Sequence, residues 1–266
     1  MFGRYALPTD DLTQGDAVTV SAEANEESAY GAVQLIAEGP TRPAGITADN
    51  GRWIIDFGSA VAPVAAAALY HNIDAGTGTM RLEANSSDSW GSPPWTQDFV
   101  VPPATEDGWA VSPWMLLEGS PSYRYWALAV DGPNSIDPIR VGRLMLLGAL
   151  RDLTNDVRWG VVEEEEHHIL EHQTDLGIET VYELGGKRRR FSGEFALQDD
   201  TAADFISFVR SVKSRLTPWL LIPDATVNDA WIVRFEEPRW ARTRETIGHN
   251  IFPYRVREVA RGLPWP

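Results

Sequence analysis

The segment EEEEHHILEH, residues 163–172, is where side-chain types and spacing come nearest to metal chemistry. On a helix, His168 and His172 are four apart and would share one face, as paired metal ligands do. The segment lacks the HExxH order, because Ile169 follows His168. On a strand the same imidazoles would lie about 13 Å apart, too far to hold one ion. His168 and His172 are therefore metal candidates on the helical reading alone, and no cofactor is expected.

A second concentration is aromatic. Trp90, Trp95, Trp109 and Trp114 fall within a Pro-rich, loop-like stretch over residues 86–119. Indoles left open on such loops stack well on the apolar faces of sugars, which makes Trp90, Trp95 and Trp109 a candidate glycan platform. The competing reading is that loops poor in regular hydrogen bonds use large aromatics as anchors, on their own domain or on a neighbouring subunit.

The third is the basic run Lys187, Arg188, Arg189 and Arg190. Four consecutive cations could grip an acidic partner, or could protect a solvated edge strand from aggregation. Together with Arg257 near the end of the chain they are candidates for a subunit interface. The remaining histidines, His71 and His249, have no nucleophile in context, and Ser192-Gly193 is not part of a Gly-x-Ser-x-Gly elbow. Gly76, Gly78, Gly185 and Gly186 lack the following Lys-Ser/Thr of a phosphate loop. No catalytic residue is singled out, and the chain is not expected to be an enzyme.

The elements that must position these residues are mostly strands. The 266 residues exceed one usual domain, and 22 Gly with 18 Pro favour many turns and short elements. Net charge is −15, spread unevenly: residues 1–150 carry 7 Arg, no Lys and 18 acids, net −11, and the remainder is net −4. Such an acidic surface repels phosphate backbones, so a basic nucleic-acid groove is not expected, although an inert acidic wall past which DNA slides is compatible with it. Cysteine is absent, which excludes disulfides and thiolate chemistry. The N-terminal segment has no apolar signal core and no window reaches the roughly 18 apolar residues of a span, so neither a signal peptide nor a membrane anchor is expected.

Two apolar runs over residues 123–150, joined by a Gly-Pro-Asn-Ser turn, must close a core. Before them, strands are expected over residues 17–22, 31–37, 53–57 and 64–71, with residues 65–68 (four alanines) read as buried strand rather than helix. Residues 1–15 read as an arm or leading strand. A boundary falls near residues 151–160, giving domains 1–152 and 157–266. After it, residues 157–170 fit either a strand or a short helix. Residues 178–184 and 187–197 read as a hairpin about Gly185-Gly186. Residues 199–213 read as a helix, with Asp199 or Asp200 as N-cap and Phe205, Phe208, Val209 and Val212 as its apolar stripe.

Trp53 with Asp56-Phe57-Gly58, a strand ending in His71-Asn72, the Arg-bearing residues 79–83, and Tyr123-Arg124-Tyr125 before residues 139–147 resemble the discoidin or galactose-binding-like jelly roll over residues 30–150. The Gly-Gly hairpin, the helix, Trp219 to Asp224, Trp231 to Phe235 and Arg257-Glu258 in the last strand resemble the tail-tube-like β-sandwich over residues 157–262. That fold recurs in tube, distal tail and baseplate hub proteins of long-tailed bacteriophages.

The resemblances imply an all-β protein with one helix: an N-terminal jelly-roll sandwich followed by a tail-tube-like sandwich. They further imply a virion protein of the tail tip, assembled in the host cytoplasm, that forms a homo-oligomeric ring. Its partners would be tube, hub and fibre proteins, with DNA only as passing cargo. The alternative is a carbohydrate-binding module, and a host surface glycan is a partner compatible with both.

Overall fold

The structure, a computed structural model, describes residues 4–23, 25–37, 42–47, 50–73, 78–101, 112–131, 138–152, 162–166, 169–173, 179–183, 188–198, 206–210, 212, 218–222, 230–236, 243–246 and 249–259. The chain is all-β, with a single α-helical stretch among the described residues. It divides into two compact units. One comprises Gly3–Asp152 with Leu221–Trp231, the other Leu153–Leu220 with Ile232–Pro266. The first unit is discontinuous in sequence: after Asp152 a short later segment, Leu221–Trp231, returns to it.

The first unit is a sandwich of two antiparallel sheets, as expected of a jelly roll. Its strands are β1 (Arg4–Ala6), β2 (Thr19–Ala22), β3 (Ala44–Ile46), β4 (Asn50–Val61), β5 (Ala65–His71), β6 (Thr79–Asn85), β7 (Trp95–Asp98), β8 (Trp114–Leu116), β9 (Tyr123–Asp131), β10 (Ile139–Leu147) and β11 (Arg151–Asp152). One sheet has the order β2-β4-β9-β6-β7 and the other β3-β10-β5-β8. The two apolar runs of residues 123–150 are β9 and β10, which lie in opposite sheets and face each other across the core.

Alternation decides what each strand buries. Trp53 and Ile55 on β4, Met80 and Leu82 on β6, and Trp126 and Leu128 on β9 fill the core against Ala66, Ala68, Val141, Leu144 and Leu146 of the other sheet. All seven residues of β5 are buried, so the alanine-rich stretch is the buried strand that its length requires. Residues 31–37 differ from expectation: Ala32–Ile36 form a 3-10 helix that turns Ala32 and Leu35 into the core.

The N-terminal segment is no loose arm. β1 pairs with β11, and Asp11 is fully buried in an ion pair of 2.8 Å with the Arg143 guanidinium of β10. The same carboxylate accepts from the Thr13 backbone N–H at 3.1 Å and from its hydroxyl at 2.7 Å. Asp10 pairs with Arg151, and its carbonyl accepts from the Gly148 N–H at 2.7 Å. These polar groups sit in the sequence as an ordinary turn, and only the fold shows that they lock the first residues to the end of β10.

The second unit contains β12 (Val162–Glu166), β13 (Ile169–Gln173), β14 (Glu179–Glu183), β15 (Arg188–Gln198), β16 (Trp219–Ile222), β17 (Trp231–Phe235), β18 (Thr243–Thr246) and β19 (His249–Glu258), of which the ends of β16 and β17 belong with the first unit. β19 is flanked by β15 and β17, β12 adds to β15, and β18 also pairs with β19. Helical residues 206–210 bring Phe208 against Trp219 and Phe235, at ring-centroid distances of 5.0 and 5.9 Å, and Val209 and Val212 are buried with it. That is part of the expected apolar stripe. The N-cap residues Asp199 and Asp200, and Phe205, lie outside the described residues.

The expected hairpin has the right strands with the wrong partners. β14 pairs with β13, and β15 pairs with β12 and β19, so β14 and β15 are not paired with each other among the described residues. The turn residues of that expectation are Gly185 and Gly186. They lie outside the described residues.

Candidate functional site

The outward face of the five-stranded sheet carries a polar groove. Residues alternating with the core set point outward: Asn50, Arg52 and Ile54 on β4, Ala127, Ala129 and Asp131 on β9, Thr79, Arg81 and Glu83 on β6. Register aligns them in rows across the three strands. Asn50, Asp131 and Thr79 form one row, Arg52, Ala129 and Arg81 the next, and Ile54, Ala127 and Glu83 the third. The middle row has a methyl group between two long cations. That contrast in length accompanies a groove of about 310 Å³, lined by the first two rows, Glu83, the backbone between them and Glu23 after β2.

The groove is held by its own ion pairs. Arg52 pairs with Glu23 on one side and, through Nε at 2.8 Å, with Glu83 on the other. Glu83 is 5% exposed, so this carboxylate depends on Arg52 for a partner. The Arg52 guanidinium also lies 5.5 Å from the ring centre of Trp90, within cation–π range. Arg81 pairs with Asp98 of β7 at 2.6 Å, where both side chains are about half exposed or more. The hydrogen bond to Asp98 holds Arg81 above its ordinary pKa, and the charges of Asp98, Glu83 and Asp131 act in the same direction. Two guanidiniums and the carboxylates of Glu23, Glu83, Asp98 and Asp131 leave the groove with a formal charge of −2. It is a ring of oriented donors and acceptors in which both guanidiniums already meet a carboxylate.

At the other end of β4 and β9 the register shifts between Asp56 and Val61. Asp56 accepts two hydrogen bonds of 2.8 Å from Arg124 and one of 2.7 Å from the N–H of Gly58, whose φ of +72° suits glycine. The hydrogen bond from Arg124 holds the Asp56 carboxyl below its ordinary pKa. The Asp-Phe-Gly sequence therefore opens the irregularity in the pairing, which resumes at Val61 opposite Tyr123.

The tryptophans expected as a platform are placed otherwise. Trp90 is 8% exposed and lies over Ile54 and Ala127, two apolar groups on the outward face that need cover. Its Nε1 donates to Asp88 at 2.7 Å. Trp95 turns inward, edge-on to Trp126 at 5.4 Å, with Nε1 donating to the Glu118 carbonyl at 3.1 Å. Trp90 presents no open ring face, Trp95 is half-buried, and Trp109 lies outside the described residues.

His168 and Lys187 lie outside the described residues. His172 is on strand β13 opposite Thr180, so the helical spacing that would have made it half of a metal pair is not formed there. Among the described residues no group of three or more His, Cys, Asp or Glu could hold a metal ion. The basic run meets an acidic one within its own chain: Arg188, Arg189 and Arg190 stand in register with Glu166, Glu165 and Glu164. Opposite charges directly across a ladder stabilise the pair. An acidic second copy is therefore not needed to account for the run. Arg257 is exposed on β19, in register with both Arg190 and Arg234.

Sequence reasoning missed the groove. Its signal was the polar alternation of Thr79, Arg81 and Glu83 among Met80, Leu82 and Ala84, which marks an outward face. Nothing local shows that Ala129 comes to lie between Arg52 and Arg81.

No protein-family model and no curated protein matches the chain. Solved structures similar to it include CpGH89CBM32-6 produced by Clostridium perfringens, with 9% identity over 52% of this chain and 99% of that one and a TM-score of 0.39. A chitosan-binding module from a chitosanase/glucanase of Paenibacillus sp. IK-5 has 15% identity over 52% and 98% of the two chains, with a TM-score of 0.38. The CBM32 of AlyQ, in complex with 4,5-unsaturated mannuronic acid, has 16% identity over 55% and 98%, with a TM-score of 0.37. At these values the likeness assigns no function to the chain.

Proposed function

We propose that the first unit is a carbohydrate-binding module and that its ligand is a neutral sugar seated over Ala129 between Arg52 and Arg81. The observation that carries this reading is the groove itself. A cleft of about 310 Å³ is at the small end of ligand sites and suits the end of a glycan rather than an extended cofactor. Each sugar hydroxyl both donates and accepts, so adjacent hydroxyls match a wall on which carboxylates and guanidiniums alternate. Asn50, Thr79 and Asp131 supply a further polar row at the end of the groove. The ion pairs already orient these groups, so binding loses little side-chain freedom. The formal charge of −2 disfavours uronates and sulfated sugars, because each guanidinium already has an anion.

The test is a glycan array probed with the purified chain, followed by calorimetry on the best ligand. Neutral glycans should bind, acidic ones should not, and Ala129→Leu should abolish binding by filling the groove while the thermal midpoint stays close to wild type. Absence of binding, or binding that Ala129→Leu leaves intact, overturns the reading.

A further inference from the structure

The exposed face of the second unit's sheet holds a row of like charges that ordinary sheet pairing would avoid. Arg190 on β15, Arg257 on β19 and Arg234 on β17 are in direct register across three adjacent strands. Like charges opposite one another destabilise a sheet unless something neutralises them. Part of the row is neutralised. Glu236 receives Arg190 at 2.6 Å on one carboxylate oxygen and Arg255 at 3.8 Å on the other, and Glu164 stands across the ladder from Arg190. Arg257 has arginines on both sides. The Nε of Arg234 is buried without a hydrogen-bond partner, which is the costly state for a charged donor. The strands are anchored from the other face by buried Phe191, Val233, Phe235, Phe252 and Val256, so the row cannot relax by a change of register.

We infer that Arg234 and Arg257 form a binding site for a single oxyanion group, a sulfate, phosphate or carboxylate, that satisfies both guanidiniums at once. Planar guanidinium forks fit such a group with paired hydrogen bonds. Around Arg234 and Arg257, four arginines stand against Glu236 and Glu164, a local formal +2 in a chain of net −15, so an anion is attracted there rather than repelled. The site is independent of the groove in the first unit.

The test uses the full chain with sodium sulfate, sodium phosphate or sodium chloride at matched ionic strength, read by thermal shift and calorimetry. Sulfate and phosphate should raise the midpoint where chloride does not, with saturation at one anion per chain. The exposed substitution Arg257→Gln should weaken that binding by about tenfold or more, the loss of one charge-assisted hydrogen bond. Glu236→Gln, which frees Arg190 and Arg255, should strengthen it. Comparing inorganic sulfate with a sulfated monosaccharide separates the sources of the group: equal affinity marks a site for the free ion, and tighter binding of the sugar marks one for the group carried on a glycan. Equal shifts in all three salts, or binding that survives both Arg257→Gln and Arg234→Gln, overturns the inference.

Discussion

Arg52 and Arg81 stand in one cross-strand row with only Ala129 between them, yet the two guanidiniums are held in different ways. Arg52 is largely buried and neutralises the buried Glu83, whereas Arg81 meets Asp98 in solvent. The two positions should therefore separate ligand binding from stability.

Arg52→Gln should lower stability by about 1–3 kcal/mol, because Glu83 is left buried without its partner. Arg81→Gln should change stability by less than about 0.5 kcal/mol, as surface substitutions do. Both should lose glycan binding. Urea denaturation and calorimetry on the two variants check this, and retained binding in Arg81→Gln would exclude that side chain from the site.

Asp11 and Arg143 make a deeply buried ion pair, in which Asp11 also accepts from Thr13. Asp11→Ala should cost about 3–5 kcal/mol by removing one member of a buried pair. Replacing Arg143 by Met in the same chain should restore much of that, since an apolar pair of similar volume tolerates burial better than a lone charge. Equilibrium denaturation of the single and double variants measures the difference. Additive losses would show that the pair does not act as a unit.

How far the fold could be read follows from which interactions are local. Residues 65–69 declared a buried strand through five small or apolar positions in succession, and the helix declared Phe208, Val209 and Val212 through spacing. Strand partners were less legible. β15 pairs with β12, with Glu164, Glu165 and Glu166 in register with Arg190, Arg189 and Arg188, and a pairing of that kind depends on residues more than twenty positions apart. The groove was less legible still, because an alanine becomes a binding position only when register sets an arginine on each side of it. Trp90 shows the same dependence: its loop left exposure and anchoring both open, and only the register shows that outward-facing Ile54 and Ala127 lie beneath it.

Asp56 sets an acid limit on the first unit. Its carboxyl titrates below its ordinary value of 3.8, chiefly through the hydrogen bond from Arg124. A depressed carboxylate pKa contributes stability that is fully present above the unfolded value and is lost as pH falls through the folded one. Wild type should therefore lose stability on going from pH 5 to below about pH 3, and Asp56→Asn should start lower and show a shallower loss over that window. Urea midpoints measured along the pH series test the sign. A variant with the parent's acid dependence would show that the loss arises at other carboxylates.

Gly142 on β10 lies opposite Tyr70 on β5, since Val141 pairs with His71 and Arg143 with Leu69. Tyr70 has a φ of 56°, in the left-handed region that bulky side chains avoid, and its N–H donates to the Ser112 hydroxyl at 3.1 Å. A methyl group at position 142 would come within 2.9 Å of the Tyr70 Cβ and 3.2 Å of two carbonyl oxygens. Those atoms belong to a strand buried along its whole length, so they have little room to yield. Gly142→Ala should cost about 1–3 kcal/mol through overpacking, even though alanine suits an interior strand better than glycine elsewhere. Gly91, where an added methyl group would meet nothing within 4 Å, is the internal comparison: Gly91→Ala should be close to neutral. Thermal denaturation of the two variants side by side reads the contrast, and equal midpoints would mean that β5 can shift to admit the methyl group.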